Sequence, residues 1–132
     1  APIICYESIY GEFVTDYVKN GANLLAIMTN DSWWENSEGH KQLLSYARLR
    51  AIETRREIVR AANSGISARI NARGDVVEDT FYDDRTVLAT KANLYEEITT
   101  YTKMGDLISR IAIFVLGFLI IYHFGERIAS KK

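Results

Sequence analysis

Short apolar runs alternate with helically spaced apolar residues along the first two-thirds of the chain. Residues 3–6 and 24–28 are short apolar runs of the kind found in buried strands. Between them, residues 9–18 carry apolar side chains at helical spacing, and Asn20 with Gly21 forms a typical helix C-cap. This order predicts a strand, a helix and a second strand.

The alternation continues through the middle of the chain. Residues 29–32 predict a polar loop, and residues 38–56 predict a helix with Leu44, Ala47, Ala51 and Ile52 along one face. Strands are predicted over 58–62, 67–70 and 87–92, with a hairpin-type turn at 71–74 and a returning strand that begins at Val76. The order of elements indicates a layered α/β or α+β domain.

A dense set of charged residues lies in the second half of the second predicted helix and just after it. Their Glu–Arg spacing is typical of a solvated helix surface. We therefore expect these side chains to face water: Arg48, Arg50, Glu53, Arg55, Arg56, Glu57 and Arg60.

The last third of the chain is apolar on every helical face. Residues 111–122 lack charge, and extension to 107–124 approaches the roughly 20 residues that span a bilayer, with Arg110 and His123 near the ends. We predict a transmembrane helix over 104–126 and a basic tail over 127–132, and the alternative is a buried core helix. The basic residues Arg127, Lys131 and Lys132 place the C-terminus in the cytoplasm and the preceding domain on the far side of the membrane.

Composition narrows the possible functions. The chain has 132 residues, and its 16 basic and 17 acidic residues give a net charge of −1, so bulk electrostatics do not favour nucleic acid. Its single cysteine cannot form an intrachain disulfide. Because the chain begins inside a strand pattern, we expect it to be part of a larger protein whose preceding strands complete the sheet.

Cys5 is the first candidate for chemistry. A lone cysteine is more often a buried small hydrophobe, but this one ends a predicted strand just before a helix, where α/β proteins place their sites. The helix N-terminus favours a thiolate, whereas the nearby Glu7 opposes it, so a separate base or cation is required. A Cys5–His40 dyad stays open, and the spacing of Cys5, His40 and His123 does not favour a metal site.

The polar loop after the second strand is the other candidate. Asn30 and Asp31 could cap a helix or tie down the loop, or they could line a pocket at the sheet edge that carries Cys5. In the second interpretation Trp33 supplies an apolar face. Tyr6, Tyr10 and Tyr17 have the spacing of packing residues.

Several of these motifs match a known family. Pro2-Ile3-Ile4-Cys5-Tyr6-Glu7 resembles the nucleophile motif of the apolipoprotein N-acyltransferases, which are membrane-bound members of the nitrilase superfamily. Asn30-Asp31-Ser32-Trp33-Trp34 is similar to their Asn-Asp-small-Trp loop, with Trp34 where Phe is usual. Residues 48–53, residues 60–67 and the terminal apolar segment resemble the parts that follow in that family.

The resemblance implies a fold and a set of site residues. It implies an αββα nitrilase-like sandwich, with residues 1–103 as its C-terminal part, on the periplasmic side of a multi-pass protein of the bacterial inner membrane. It also implies a Glu-Lys-Cys triad in which Cys5 is the nucleophile and the Glu and Lys lie upstream of Ala1. Supporting or pocket positions would be Tyr6, Glu7, Asn30, Asp31 and Trp33.

The implied reaction uses no cofactor and no metal. Cys5 would take an acyl chain from a phospholipid as a thioester and pass it to the N-terminal diacylglyceryl-cysteine amine of an apolipoprotein. Without the Glu and the Lys, the 132 residues alone are expected to be inactive. The alternatives are a nitrilase-type amidase and a non-catalytic, membrane-tethered interaction module.

Overall fold

A computed structural model describes the backbone of residues 1–129 and the side chains of residues 1–127. The described residues form five strands and four α-helices, with a 3-10 helix after each of the first two strands. In order they are β1 (Pro2–Ile4), a 3-10 helix (Cys5–Ile9), α1 (Gly11–Lys19), β2 (Leu25–Asn30), a second 3-10 helix (Ser32–Trp34), α2 (Glu38–Thr54), β3 (Ile58–Asn63), β4 (Ala68–Ile70), β5 (Val76–Asp79), α3 (Thr100–Met104) and α4 (Leu107–Ala129).

The strands form one mixed sheet in the order β1-β2-β3-β4-β5. The first three strands are parallel, and β4 and β5 return antiparallel through a turn in which Gly74 N–H donates to Asn71 O at 2.9 Å. The predicted α/β class, with an apolar helix after it, is confirmed. This topology places the carboxyl ends of β1, β2 and β3 at one edge of the sheet.

Helices α1 and α2 cover one face of the sheet and build the core with it. Ile3, Ile27, Ile58 and Ile70 point into this core, together with side chains of both helices, Val14, Val18, Ala47 and Ala51. On the opposite face Ile4 and Met28, which are neighbours across β1 and β2, are 52% and 44% exposed. That open face is where the second sheet of the expected αββα sandwich would pack.

Two local predictions are wrong. Residues 29–30 are not loop, because Thr29 and Asn30 continue β2 in register with Ala62 and Asn63 of β3. The strand predicted over 87–92 is absent from the described structure: this segment is irregular, and Val87 is 91% exposed. Ladder pairing with a neighbour decides strand formation more strongly than local composition does.

The expectation that the charged set faces water is confirmed for Arg48 and Arg55, which are exposed, whereas Glu53 is half-buried. It is wrong for the four buried members, Arg50, Arg56, Glu57 and Arg60. Arg56 donates to the carbonyls of Ala22 and Glu97 at 2.8 and 2.7 Å, and Glu57 accepts from the side chain of Asn93 at 2.9 Å. Burial lowers the pKa of Arg56, and the nearby Glu96 and Glu97 oppose that shift. These contacts fasten the irregular segment 80–99 to the sheet, and helical spacing alone gives no sign of them.

Helix α4 contacts the domain near its start, where Arg110 pairs with Glu12, and its apolar side chains stay largely exposed. Its stretch Leu107–Arg127 has 21 residues, and the most apolar 18-residue part of it has a mean hydropathy of 2.1 and is not buried in the protein. At 1.5 Å per residue it is about 30 Å long, which matches the hydrocarbon core of a bilayer. It is long and apolar enough to span a membrane. Lys131 and Lys132 of the predicted basic tail lie outside the described residues.

Candidate active site

Cys5 stands at a sharp turn between β1 and the first 3-10 helix. Its φ is +49°, a left-handed conformation that few non-glycine residues adopt and that recurs at functional sites. Ser8 Oγ donates to Cys5 O at 2.8 Å, and Ile4 N–H donates to the Glu7 carboxylate at 2.7 Å. The turn therefore holds the partly buried thiol at the carboxyl edge of the sheet.

Thr29 lies directly beside the sulfur. Because Ile4 pairs with Met28, the next residues of the two parallel strands, Cys5 and Thr29, come together at the sheet edge. Thr29 Oγ1 is 3.4 Å from Cys5 Sγ and 2.7 Å from Asp31 Oδ1. The sequence did not single out Thr29, although the parallel alignment of the two strand ends was the signal that could have found it.

Asp31 is fully buried and ion-paired. Its Oδ2 is 2.6 Å from the guanidinium of Arg60 on β3, and Arg60 also donates to the carbonyl of Ile66. A Cβ at Gly65 would collide with this carboxylate, so glycine is required there for the close approach. Asp31 is thus one hydroxyl away from Cys5, and Arg60 is a second site residue that sequence patterning assigned to the solvent.

Asn30 ties down the chain that follows β2. Its Oδ1 accepts hydrogen bonds from Ser32 N–H at 3.2 Å, from Ser32 Oγ at 2.8 Å and from Asn63 Nδ2 at 3.3 Å. These contacts match the loop-fixing interpretation of Asn30.

The structure brings Trp34, rather than Trp33, next to Tyr6 in the turn that carries Cys5. The Trp34 ring lies 6.3 Å from the Tyr6 ring and rests against Gly39, where a Cβ would collide with the indole. Trp33 is 84% exposed. Tyr6 and Trp34 therefore form the aromatic wall beside Cys5.

His40 is not a partner of Cys5 in the described part of the chain. It is 1% exposed and packs against the ring of Tyr82, with centroids 4.6 Å apart, whereas Cys5 Sγ meets Thr29. Among the residues that the structure describes, no three or more His, Cys, Asp or Glu side chains are grouped so that they could hold a metal ion. The site is thus organised around a cysteine, a hydroxyl and a buried ion pair.

A comparison with family models decides the identity of this fold. Residues 1–103 match the carbon-nitrogen hydrolase model. The chain belongs to the carbon-nitrogen hydrolase family.

Individual relatives of this carbon-nitrogen hydrolase chain are apolipoprotein N-acyltransferases, as the sequence motifs predicted. It is 37% identical over 119 residues to the one from Chlorobaculum tepidum, covering 90% of this chain and 22% of that protein. It is 38% identical over 139 aligned positions to apolipoprotein N-acyltransferase 2 of Leptospira interrogans, covering 99% and 22%. For the Haemophilus influenzae protein the identity is 36%, covering 81% and 20%. The chain spans about a fifth of the length of these relatives.

Proposed function

We propose that this carbon-nitrogen hydrolase chain forms the nucleophile-bearing part of an enzyme that N-acylates apolipoproteins. The observation that carries the proposal is Cys5 at a positive-φ turn, in a chain 36–38% identical to proteins named apolipoprotein N-acyltransferase. The acyl donor is a phospholipid, and the acceptor is the amino group of an N-terminal diacylglyceryl-cysteine. Neither a cofactor nor nucleic acid takes part.

The reaction has two steps. The Cys5 thiolate attacks the acyl carbonyl of the phospholipid: a C–S bond forms, the ester C–O bond breaks, and lysophospholipid leaves after its alkoxide gains a proton. The acceptor amine then attacks the thioester, so that a C–N bond forms and the C–S bond breaks. The sulfur recovers its electron pair, and the proton of the amine is released to the enzyme.

The remaining catalytic groups are a Glu base and a Lys, which we place in sequence that precedes the nucleophile strand in the relatives. The Lys stabilises the thiolate and the developing oxyanion. We therefore propose that the 132 residues alone do not transfer acyl chains. Transfer by the isolated chain, measured with radiolabelled phospholipid and a lipopeptide acceptor, would contradict this part of the proposal.

The predicted supporting residues divide by position. Tyr6, beside Trp34, contacts the acyl chain, and the exposed Trp33 extends this apolar surface toward lipid. Glu7 holds the nucleophile turn through Ile4 N–H, and Asn30 and Asp31 fix the end of β2. Each thus acts on the pocket or its geometry, and Cys5 alone of this set forms a covalent bond.

A membrane location fits both substrates, which reside in a bilayer. We propose that residues 104–126 span the bacterial inner membrane of a multi-pass protein, with residues 1–103 periplasmic and 127–132 cytoplasmic. A cleft of about 400 Å³ lies where the Cys5–Ile9 turn ends and α4 begins, and its lining includes Tyr10, Tyr101 and Ile113. Reporter fusions after Lys132 test this topology. We expect a fused green fluorescent protein to fluoresce, whereas activity of a fused alkaline phosphatase would place the C-terminus in the periplasm and contradict the proposed orientation.

The test of the reaction follows the sulfur. In the full-length enzyme with phospholipid and no acceptor, we expect a hydroxylamine-sensitive acyl adduct on the Cys5 peptide by mass spectrometry. Cys5→Ala should abolish both adduct and transfer, whereas Ser45→Ala, on the exposed surface of α2, should leave both unchanged. Hydrolysis of an amide with no phospholipid-derived adduct on Cys5 would identify an amidase, and absence of both adduct and transfer in wild type would favour an interaction module. Transfer retained in Cys5→Ala would contradict the assignment of Cys5 as the nucleophile.

A further inference from the structure

The hydroxyl of Thr29 lies between two acceptors. It is 2.7 Å from Asp31 Oδ1 and 3.4 Å from Cys5 Sγ. A hydroxyl has one proton and donates it to one of them at a time, while its lone pairs accept from a neighbour such as a thiol. The direction of this hydroxyl is therefore coupled to the charge on the sulfur.

Asp31 is an acceptor that can lose this hydrogen bond. Its other oxygen is 2.6 Å from Arg60, and both side chains are almost completely buried. The guanidinium neutralises the carboxylate and holds it in place. The backbone of Gly65 lies directly against this carboxylate, so that a Cβ at position 65 would collide with it. Because Arg60 already neutralises Asp31, release of the hydroxyl from this carboxylate to a thiolate 3.4 Å away costs less than release from an unpaired carboxylate.

We propose that Thr29 is a positioning residue that stabilises the charged form of the Cys5 sulfur, with its hydroxyl set by the Asp31–Arg60 pair. This inference rests on the proposed function of Cys5 as the nucleophile. With a thiol or a thioester, Thr29 donates to Asp31. When the sulfur is a thiolate, the hydroxyl turns and donates to it.

The consequence is greatest in the second step of acyl transfer. There the C–S bond of the thioester breaks and the electron pair moves to the sulfur, so the new hydrogen bond forms as charge develops. An interaction made only as charge develops lowers the barrier instead of tightening the ground state. Loss of the hydroxyl is therefore expected to slow release of the acyl chain from Cys5 and to make the thioester accumulate.

The test uses the full-length enzyme in membranes and the variants Thr29→Val, Thr29→Ala and Thr29→Ser. The first readout needs no substrate: the pH dependence of iodoacetamide alkylation of Cys5, followed on its peptide by mass spectrometry. We expect the midpoint to rise by about one pH unit in Val and Ala, and to stay near wild type in Ser. Thr15→Val, which removes a buried hydroxyl that donates to Glu12 O, is the control for a general loss of stability. It should not shift the midpoint of Cys5 alkylation.

The second readout is single-turnover decay of the Cys5 thioester with a lipopeptide amine. We expect it to slow about ten-fold in Val and Ala and to recover in Ser. An unshifted midpoint in both Val and Ala, or a Ser variant as impaired as Val, would overturn the role of Thr29. If the Thr29→Val variant does not fold, the Thr29→Ala variant provides the same comparison. Failure of the proposed function is separate: it appears as acyl transfer that survives Cys5→Ala, whatever the alkylation profile shows.

Discussion

The Arg110 guanidinium lies 2.7 Å from the Glu12 carboxylate, although 98 positions separate the two residues in the sequence. The same carboxylate oxygen accepts the backbone N–H of Asp106 at 2.9 Å. One side chain of α1 therefore holds both the first turn of the apolar helix and the residue before it. This junction sets the direction in which α4 leaves the domain.

The junction requires glycine at position 105. Gly105 has a φ of +67°, and a Cβ there would collide with Glu12 Oε1. We expect Gly105→Ala to lower the free energy of unfolding by about 1 kcal/mol or more. Gly117→Ala is the matched control, since Gly117 lies within α4 with open space around it and should be neutral or slightly stabilising. Denaturant unfolding in detergent measures both, and equal effects would show that the junction imposes no constraint.

The buried ion pair between Asp31 and Arg60 predicts a large loss of stability when one partner is removed. Arg60→Gln leaves the Asp31 carboxylate buried and unpaired, and we expect it to cost about 3 kcal/mol of stability. Arg73→Gln breaks an exposed pair with Asp75 and should leave stability unchanged. Circular dichroism during urea unfolding gives the comparison. A combined Asp31→Asn and Arg60→Met variant should recover part of the loss, because no buried charge remains.

Glu53 predicts a pH dependence of stability. Burial raises the pKa of Glu53 above 4.5, and Arg50, at 3.2 Å, only partly offsets this. The native state then binds the proton more tightly than the unfolded state, so this residue's contribution to stability is present at acid pH and is lost as pH rises through the window above 4.5. We expect the free energy of unfolding of wild type, relative to that of Glu53→Gln at the same pH, to fall from pH 4 to pH 7. A rise would mean that the pairing with Arg50 dominates.

Gly39 predicts how the aromatic wall is held. A Cβ at this position would collide with the Trp34 ring, so Gly39→Ala should displace the indole from α2. In a Trp33→Phe background, where Trp34 is the sole tryptophan of the chain, we expect its emission to shift to the red and its quenching by acrylamide to increase. Gly125→Ala, with open space around it, should change neither. Unchanged emission in Gly39→Ala would show that the ring adapts without leaving its place.

Sequence patterns identified α1, α2 and the parallel strands, whose apolar side chains form the core, and α4 from its unbroken apolar run, but not the short helix α3. The position of Cys5 at a turn was also predictable, because Cys5 follows a buried strand and precedes helical spacing. The irregular segment 80–99 was not, since Asn93 and Glu97 are held by polar contacts with Glu57 and Arg56 far away in sequence. A charged residue whose partners come from other elements looks identical, in a linear pattern, to one that faces water.

The surroundings of the sulfur were harder to predict than the sulfur itself. Thr29 and Arg60 carry no motif of their own, and they reach the site through strand register alone. Trp33 and Trp34 are chemically alike, and the gap above Gly39 decides which of them lies beside Tyr6. Sequence spacing predicts which strand ends meet, but not which of two adjacent side chains fills the space between them.

The ion pair between Asp31 and Arg60 also has a consequence for the order of assembly. During synthesis Cys5 emerges first, then Thr29 and Asp31, and the guanidinium that fixes Asp31 emerges 29 residues after it. The strand that carries Arg60 must dock before the neighbourhood of the thiol is complete. A nascent chain therefore passes through a stage in which the cysteine is already present but its support is not, and reactivity of this thiol toward a membrane-impermeant reagent would report the completion of folding.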